Sequence, residues 1–161
     1  MKQKELLAEL DKNFAESKEE LKLQVSLDEL DEIFNIRDLV LKSGYVSTQL
    51  PKTVSWRIIE TFNNWLNYLH SLVMPMPHNM ISNSESQVFS EKEKQEIINL
   101  MNTILAYTSS NPVAALENDK EKQRVFIDNS LKLWNCVQPK LLEIMTKVNS
   151  YWNSLDNTYS F

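Results

Sequence analysis

Residues 53–74 read TVSWRIIETFNNWLNYLHSLVM, and this stretch decides the fold class. Its apolar residues recur at steps of three and four, the spacing that places side chains on one face of an α-helix. That face consists of Ile58, Ile59, Phe62, Trp65, Leu66, Leu69, Leu72 and Val73. Pro51 stands near the start, where proline is tolerated, and Pro75 and Pro77 end the pattern because proline lacks a backbone N–H. The stretch therefore predicts a long, central helix.

A second helix is predicted upstream, over residues 26–43. Ser26 and Glu29 have the spacing of a capping box, in which each side chain accepts a hydrogen bond from the backbone N–H of the other residue. Gly44 follows, and glycine suits the left-handed conformation that commonly ends a helix. Residues 3–23 carry a thin apolar stripe between charged faces, which predicts a further helix at the N-terminal side.

The second half of the chain continues the helical pattern. Ser90 and Glu93 form another capping box and predict the start of the next helix. Asn111 and Pro112 resemble an N-cap followed by proline at the first helical position, so a helix is expected to begin there. Pro139 is expected either to kink that helix or to start a new one.

The chain has one glycine among its 161 residues. Hairpin turns, nucleotide-binding loops and nucleophile elbows use glycine for positive φ or for close approach to a ligand, so none of them is expected. Together with the helical periods, this predicts an all-α fold: a single-domain bundle of five or six amphipathic helices over residues 1–161. A long loop is expected at 75–90, and a frayed tail at 156–161.

The composition narrows the functional classes further. Acidic residues number 22 and basic residues 17, with the two signs interspersed, so nucleic-acid binding is not expected. No stretch is long and apolar enough to predict a membrane span. The single cysteine, Cys136, excludes an internal disulfide and is expected to be a small buried core residue. Without an apolar signal core near residue 1, the cytoplasm is the expected location.

The sequence contains no recognisable catalytic constellation, so an enzyme is not expected. His70 and His78 are the two histidines, and neither shares a motif with Cys136 that would indicate an activated nucleophile. The residue spacings of zinc sites and of carboxylate-bridged dimetal sites are missing as well. No cofactor is predicted.

The leading hypothesis is a non-enzymatic protein–protein interaction module: a small adaptor, an inhibitor, or a subunit of a larger assembly or homo-oligomer. The thin stripe within residues 1–24 would need a partner to cover it. Tryptophan beside arginine is typical of interface hot spots, and long loops are commonly functional. These features give the predicted partner-binding residues, which are Leu7, Leu10, Phe14, Trp56, Arg57, Met76, Met80 and Ile81.

One alternative is a helical protein that binds a small anionic or apolar molecule between its helices. Arg37, Arg57 and Tyr68 are the candidate ligand-binding residues, because guanidinium groups bind carboxylates and phosphates bidentately. Arg37 falls within an apolar stripe, so the competing interpretation is an internal ion pair with a carboxylate of another helix.

A second alternative is a Cu(I)-binding methionine loop. Thioether and imidazole groups are soft ligands that favour Cu(I). Two prolines would hold the segment extended and place alternate side chains on one side. The ligands would be Met74, Met76, His78 and Met80. The competing interpretation is a hydrophobic loop that tucks its methionines into the bundle.

Overall fold

The computed structural model describes residues 2–155, which form eight α-helices and contain no β-strand. The helices are α1 (Lys2–Leu21), α2 (Leu27–Phe34), α3 (Ile36–Ser43), α4 (Leu50–Val73), α5 (Met80–Ser86), α6 (Glu91–Thr108), α7 (Ser110–Glu117) and α8 (Lys120–Ser154). The predicted all-α class is confirmed, with more helices than the five or six expected. Among these helices, none is both long and apolar enough to cross a membrane. The tail predicted to fray, 156–161, lies outside the described residues.

Several helix boundaries follow the local signals in the sequence. The hydroxyl of Ser26 accepts from the N–H of Glu29 at 3.2 Å, and the Glu29 carboxylate accepts from the N–H of Ser26 at 2.8 Å. Ser90 and Glu93 make the same two bonds before α6, at 3.2 and 3.0 Å. Gly44 ends α3 in the left-handed conformation, with φ of 79°. The two capping boxes and the glycine cap are therefore confirmed.

The segment 26–43 forms two helices where the pattern predicts one. Asn35 lies between α2 and α3 with a left-handed φ of 52°, and its N–H donates to the carbonyl of Asp31 at 2.9 Å. Asparagine visits this conformation more readily than most residues, which is why the chain can break there. Apolar residues continue on both sides of the break, so periodicity gave no sign of it.

Three further expectations are corrected. α7 begins at Ser110, which places Asn111 inside the helix as a buried residue instead of at its N-cap. α8 runs through Pro139 without ending, so no new helix starts there. The predicted loop at 75–90 contains α5, so the connection is two short stretches separated by a helix.

The chain divides into two compact units. The first comprises the residues up to Asn63 together with Ala106–Lys132, and the second comprises Asn64–Leu105 together with the residues from Leu133 onward. α4, α6 and α8 therefore each contribute residues to both units. Within the first unit, α1 and α2 both pack against α3.

The core of the first unit contains a series of aromatic rings. The ring centroids of Phe34 and Phe62 lie 6.0 Å apart, and those of Phe62 and Tyr107 lie 5.6 Å apart. Tyr107 stacks on Phe126 at 4.4 Å and donates its hydroxyl hydrogen to the Phe126 carbonyl at 2.7 Å. Burial raises the pKa of the Tyr107 hydroxyl, so it stays a donor near neutral pH. Such ring pairs stabilise a core beyond the area they bury.

The second unit has a core of mainly aliphatic side chains from α4, α6 and α8, together with Phe89 from the segment before α6. Its buried members are Leu66, Leu69, Leu72, Phe89, Ile97, Leu100, Ile104, Val137, Leu141 and Val148. At its edge, Lys147 pairs with Glu93 at 2.6 Å, and its ammonium group lies 5.3 Å from the centre of the Phe89 ring. The end of α4 and the whole of α5 belong to this unit, and they flank the exposed segment described next.

Candidate interaction surface

The segment that leaves α4 and enters α5 exposes large apolar side chains. Met74 is 66% exposed, Met76 69%, Met80 80% and Ile81 59%. We call these four residues the methionine surface. Isolated apolar side chains are common on protein surfaces, but a concentration of them within residues 74–81 indicates a contact site.

Hydrogen bonds from two asparagines fix the backbone of this segment. The Asn79 N–H donates to the Met76 carbonyl at 3.0 Å and closes a turn. The Asn83 amide donates to the carbonyls of Met76 and Asn79, at 2.8 Å each. Asn79 also caps α5, because its Oδ1 accepts from the N–H of Ser82 at 3.0 Å. The segment is therefore braced by its own side chains.

α5 is anchored in the second unit through Glu85 and Ser86. The Glu85 carboxylate accepts from the Tyr68 hydroxyl and from Trp152 Nε1, each at 3.0 Å. The buried Ser86 hydroxyl donates to the Leu72 carbonyl at 2.6 Å. Burial, and then the hydrogen bond to Glu85, raise the pKa of the Tyr68 hydroxyl, so the donor is retained. The methionine surface consequently sits on a fixed support.

The methionine surface lies in an uncharged run of the chain. Residues 61–84 contain no Asp, Glu, Lys or Arg, although 24% of the whole sequence is charged. Burial of this segment would therefore remove no Asp, Glu, Lys or Arg of residues 61–84 from water. A charged group of a partner placed against it would lose its hydration and would find no oppositely charged residue among residues 61–84.

Trp56 and Arg57, which were predicted to form one contact patch, have different surroundings. Trp56 is 57% exposed. Arg57 is half-buried, and its Nε donates to the Phe34 carbonyl at 2.7 Å while its Nη1 pairs with Glu60 at 3.1 Å. The bond to Phe34 ties α4 to the end of α2 within the first unit, whereas Glu60 lies on α4 itself. The guanidinium group of Arg57 is thus already paired within the chain, which does not support the predicted contact with a partner.

The predicted partner-facing stripe of α1 is largely covered within the chain. Leu10 is fully buried, Phe14 is 5% exposed, and Leu7 is half-buried. α1 packs against α3 within the first unit. For Leu10 and Phe14 the expectation of a partner contact is therefore wrong, because neither side chain is accessible in the folded chain.

Arg37 is the centre of an ion-pair cluster in the first unit. Its Nη2 lies 2.6 Å from Asp28 and 3.4 Å from Asp11, and its Nη1 lies 3.2 Å from Asp31. The bond to Asp28 is the main cause that raises the pKa of the Arg37 guanidinium. Three carboxylates of the chain therefore pair with the guanidinium group that a bound anionic ligand would need. The competing interpretation of an internal ion pair describes Arg37 better.

The two remaining ligand candidates, Arg57 and Tyr68, each make hydrogen bonds within their own unit. Arg57 makes the bonds given above in the first unit, and Tyr68 donates to Glu85 in the second.

The Cu(I) alternative depends on an extended backbone that places Met74, Met76, His78 and Met80 on one side. The turn closed by Asn79 ends that extended backbone, so the geometric argument for Cu(I) is lost. All four of these side chains are exposed instead of tucked into a core.

Two further findings concern reactive groups. Cys136 is exposed on α8, so the prediction that it is buried in the core is wrong. Its neighbours in sequence are apolar, but helical geometry turns it away from the face that buries Val137. Within the described residues, no group of three or more His, Cys, Asp and Glu side chains is arranged to hold a metal ion.

No protein-family model, curated protein or solved structure gives a significant match to this chain.

Sequence reasoning named Met76, Met80 and Ile81 but missed what holds them in place. Glu85 is separated by 17 positions from Tyr68 and by 67 from Trp152, so no local spacing relates the three. The frequent asparagines of the segment were a usable signal, because asparagine side chains commonly brace turns and cap helices.

Proposed function

We propose that the protein is a non-enzymatic interaction module that binds another protein through the methionine surface. The observation that carries the proposal is that four large apolar side chains are 59–80% exposed on one braced segment. Burying them removes apolar area from water, which is the main driving force of protein association.

The hydrogen bonds that fix the segment also support a role in binding a partner. A loop that becomes ordered on binding loses conformational entropy, whereas a loop already fixed by hydrogen bonds avoids most of that cost. The bonds of Asn79 and Asn83 supply that preorganisation. Methionine side chains remain adaptable, so the same surface can fit an irregular partner.

The partner is expected to present an apolar, uncharged face. This follows from the absence of Asp, Glu, Lys and Arg at residues 61–84. Trp56 is also exposed, but it lies in the first unit and is not part of the methionine surface. The role as adaptor, inhibitor or subunit depends on what the partner does.

Site-specific photo-crosslinking tests this proposal. A photoreactive benzoylphenylalanine replaces Met76 in the full chain, and the matched control carries the same group in place of Leu142, which is 60% exposed on α8. We expect a discrete covalent adduct with one protein at position 76, and not at position 142, in extracts of the cells that make the chain. The adduct is identified by mass spectrometry, and its protein is then purified to measure direct binding.

Several outcomes would count against the proposal. Equal adducts at positions 76 and 142 would indicate non-specific contact. An adduct whose purified protein does not bind the unmodified chain would do the same. Binding of the chain to vesicles of neutral phosphatidylcholine, lost on mutation of the methionine surface, would indicate that the surface meets lipid and not protein.

A further inference from the structure

A cavity of about 250 Å³ lies in the first unit, between the start of α4, α7 and the start of α8. Trp56 on α4 forms one wall and exposes 57% of its surface. Lys52, from the same end of α4, and Lys120, the first residue of α8, also line the cavity. The cavity therefore combines a flat aromatic face with two ammonium groups.

Two buried polar side chains line the same cavity. Ser55 is 1% exposed, and its hydroxyl has no hydrogen-bond partner among the described residues. Asn111 is 4% exposed, and its amide makes no side-chain hydrogen bond within residues 2–155. Buried polar groups are nearly always paired, because an unpaired one destabilises the folded state. The unpaired Ser55 hydroxyl, together with an Asn111 amide that makes no side-chain hydrogen bond within the described residues, indicates that the cavity receives a polar guest.

The charges around the cavity define the kind of guest. Lys52 forms no ion pair in the described part of the chain, whereas Lys120 pairs with Glu20. The cavity also includes the N-terminal end of α8, whose backbone N–H groups and dipole favour an anion. Asp119 lines it too, and its carboxylate accepts from the N–H of Lys122 at 3.1 Å. That negative charge disfavours a doubly charged group such as phosphate, so a single negative charge fits better.

We propose that this cavity binds a small planar monocarboxylate, with its ring against Trp56 and its carboxylate near Lys52 and the start of α8. The hydroxyl of Ser55 and the amide of Asn111 supply polar contacts to the bound molecule. The volume of about 250 Å³ restricts the ligand to roughly one ring with its carboxylate. This site is independent of the methionine surface, since its lining residues all belong to the first unit.

Titration with benzoate and with benzamide, its uncharged analogue, tests the site. The signal is the indole N–H of Trp56 in a ¹⁵N-correlated NMR spectrum, assigned from the Trp56→Phe variant. We expect a saturable shift with benzoate and about threefold to fivefold weaker binding of benzamide, the upper part of the range that one exposed charge contact contributes. Lys52→Met is expected to weaken benzoate binding by about threefold, while the control Lys132→Met leaves it unchanged.

Ser55→Ala provides a second readout that separates binding from folding. Because the hydroxyl is unpaired in the free protein, removing it is expected to leave the melting temperature unchanged or raised. The same change is expected to weaken benzoate binding by about threefold, because the ligand then loses a hydrogen bond. No saturable shift up to about 20 mM benzoate, equal affinity for benzamide, or a lower melting temperature with unchanged binding would each overturn the proposal.

Discussion

At the scale of single residues, Gly44 has a position that alanine cannot occupy without strain. Its φ is 79°, and a Cβ built there meets nothing within 4 Å, so the cost of a side chain is purely conformational. Gly44→Ala is expected to lower the free energy of unfolding by about 1–2 kcal/mol, and Gly44→Asn by less. Urea unfolding measures both. An alanine variant as stable as the unmodified chain would show that α3 does not end in this conformation.

The two capping boxes predict a dependence of stability on pH. The backbone N–H of Ser26 is the main cause that lowers the pKa of Glu29, and Lys147 is the main cause that lowers the pKa of Glu93. Groups whose pKa is lower in the folded state stabilise it above the unfolded value, here 4.5. That stabilisation is lost as the pH falls from there through the folded pKa.

The corresponding experiment compares stability at about pH 6 and about pH 3 in urea unfolding. The double variant Glu29→Gln, Glu93→Gln is expected to lose less stability between the two than the unmodified chain. A control with Glu9→Gln and Glu16→Gln removes the same number of charges from α1 and should keep the full loss. Identical losses in all three proteins would contradict the role of the capping boxes.

At the scale of helices, boundaries set by neighbouring residues were predictable, and those set by distant contacts were not. Ser26 and Gly44 act within three or four residues, so their roles could be read directly. The break at Asn35 interrupts an apolar pattern that continues on both sides, and the short α5 lies in a segment that the sequence predicted to be a loop. The burial of Phe14 involves segments far away in the sequence, since it lies beside Val54 of α4 and Ile127 of α8.

Pro139 is exposed inside α8 and weakens that helix. Proline lacks the N–H that would pair with the carbonyl four residues earlier, and it is roughly 3 kcal/mol less favourable than alanine in a helix interior. Pro139→Ala is therefore expected to raise the free energy of unfolding by about 1–3 kcal/mol. Pro112→Ala is the matched control, because Pro112 lies in the first turn of α7, where the N–H is dispensable. A less stable Pro139→Ala protein would mean that the packing of α8 requires the proline.

Glu85 is expected to control the order of α5. A glutamine at this position offers one acceptor oxygen in place of two, so one of the bonds from Tyr68 and Trp152 is lost. Glu85→Gln should cost about 1–3 kcal/mol and speed hydrogen exchange across residues 80–86. Glu91→Gln, whose side chain is 95% exposed, serves as the control. Unchanged exchange in α5 would show that other contacts hold it.

At the scale of the whole molecule, the division into two units could not be predicted. The units divide after Asn63, Leu105 and Lys132. These positions lie inside α4, α6 and α8, so no linker or change of composition marks them. The sequence pattern reports which residues face inward, but it does not report which distant segments meet.

The candidate surface was predictable in part. Met76, Met80 and Ile81 were identified because a loop rich in apolar residues is unusual, and their exposure is the new structural fact. Arg37 and Arg57 were identified because guanidinium groups bind anionic ligands, yet carboxylates and a backbone carbonyl of the chain itself pair with them. The sequence pattern around an apolar or charged residue does not distinguish a residue that contacts a partner from one that contacts the rest of its own chain.

The most direct test of the central claim is the affinity of the crosslinked and purified partner for a surface variant. The variant replaces the methionine surface with serine: Met74→Ser, Met76→Ser, Met80→Ser and Ile81→Ser. The control carries Leu116→Ser and Leu142→Ser, at positions that are 90% and 60% exposed. Calorimetric titration should show binding at least about tenfold weaker for the variant alone. Its free energy of unfolding should stay within about 0.5 kcal/mol of the unmodified chain. Full affinity of the variant would contradict the account.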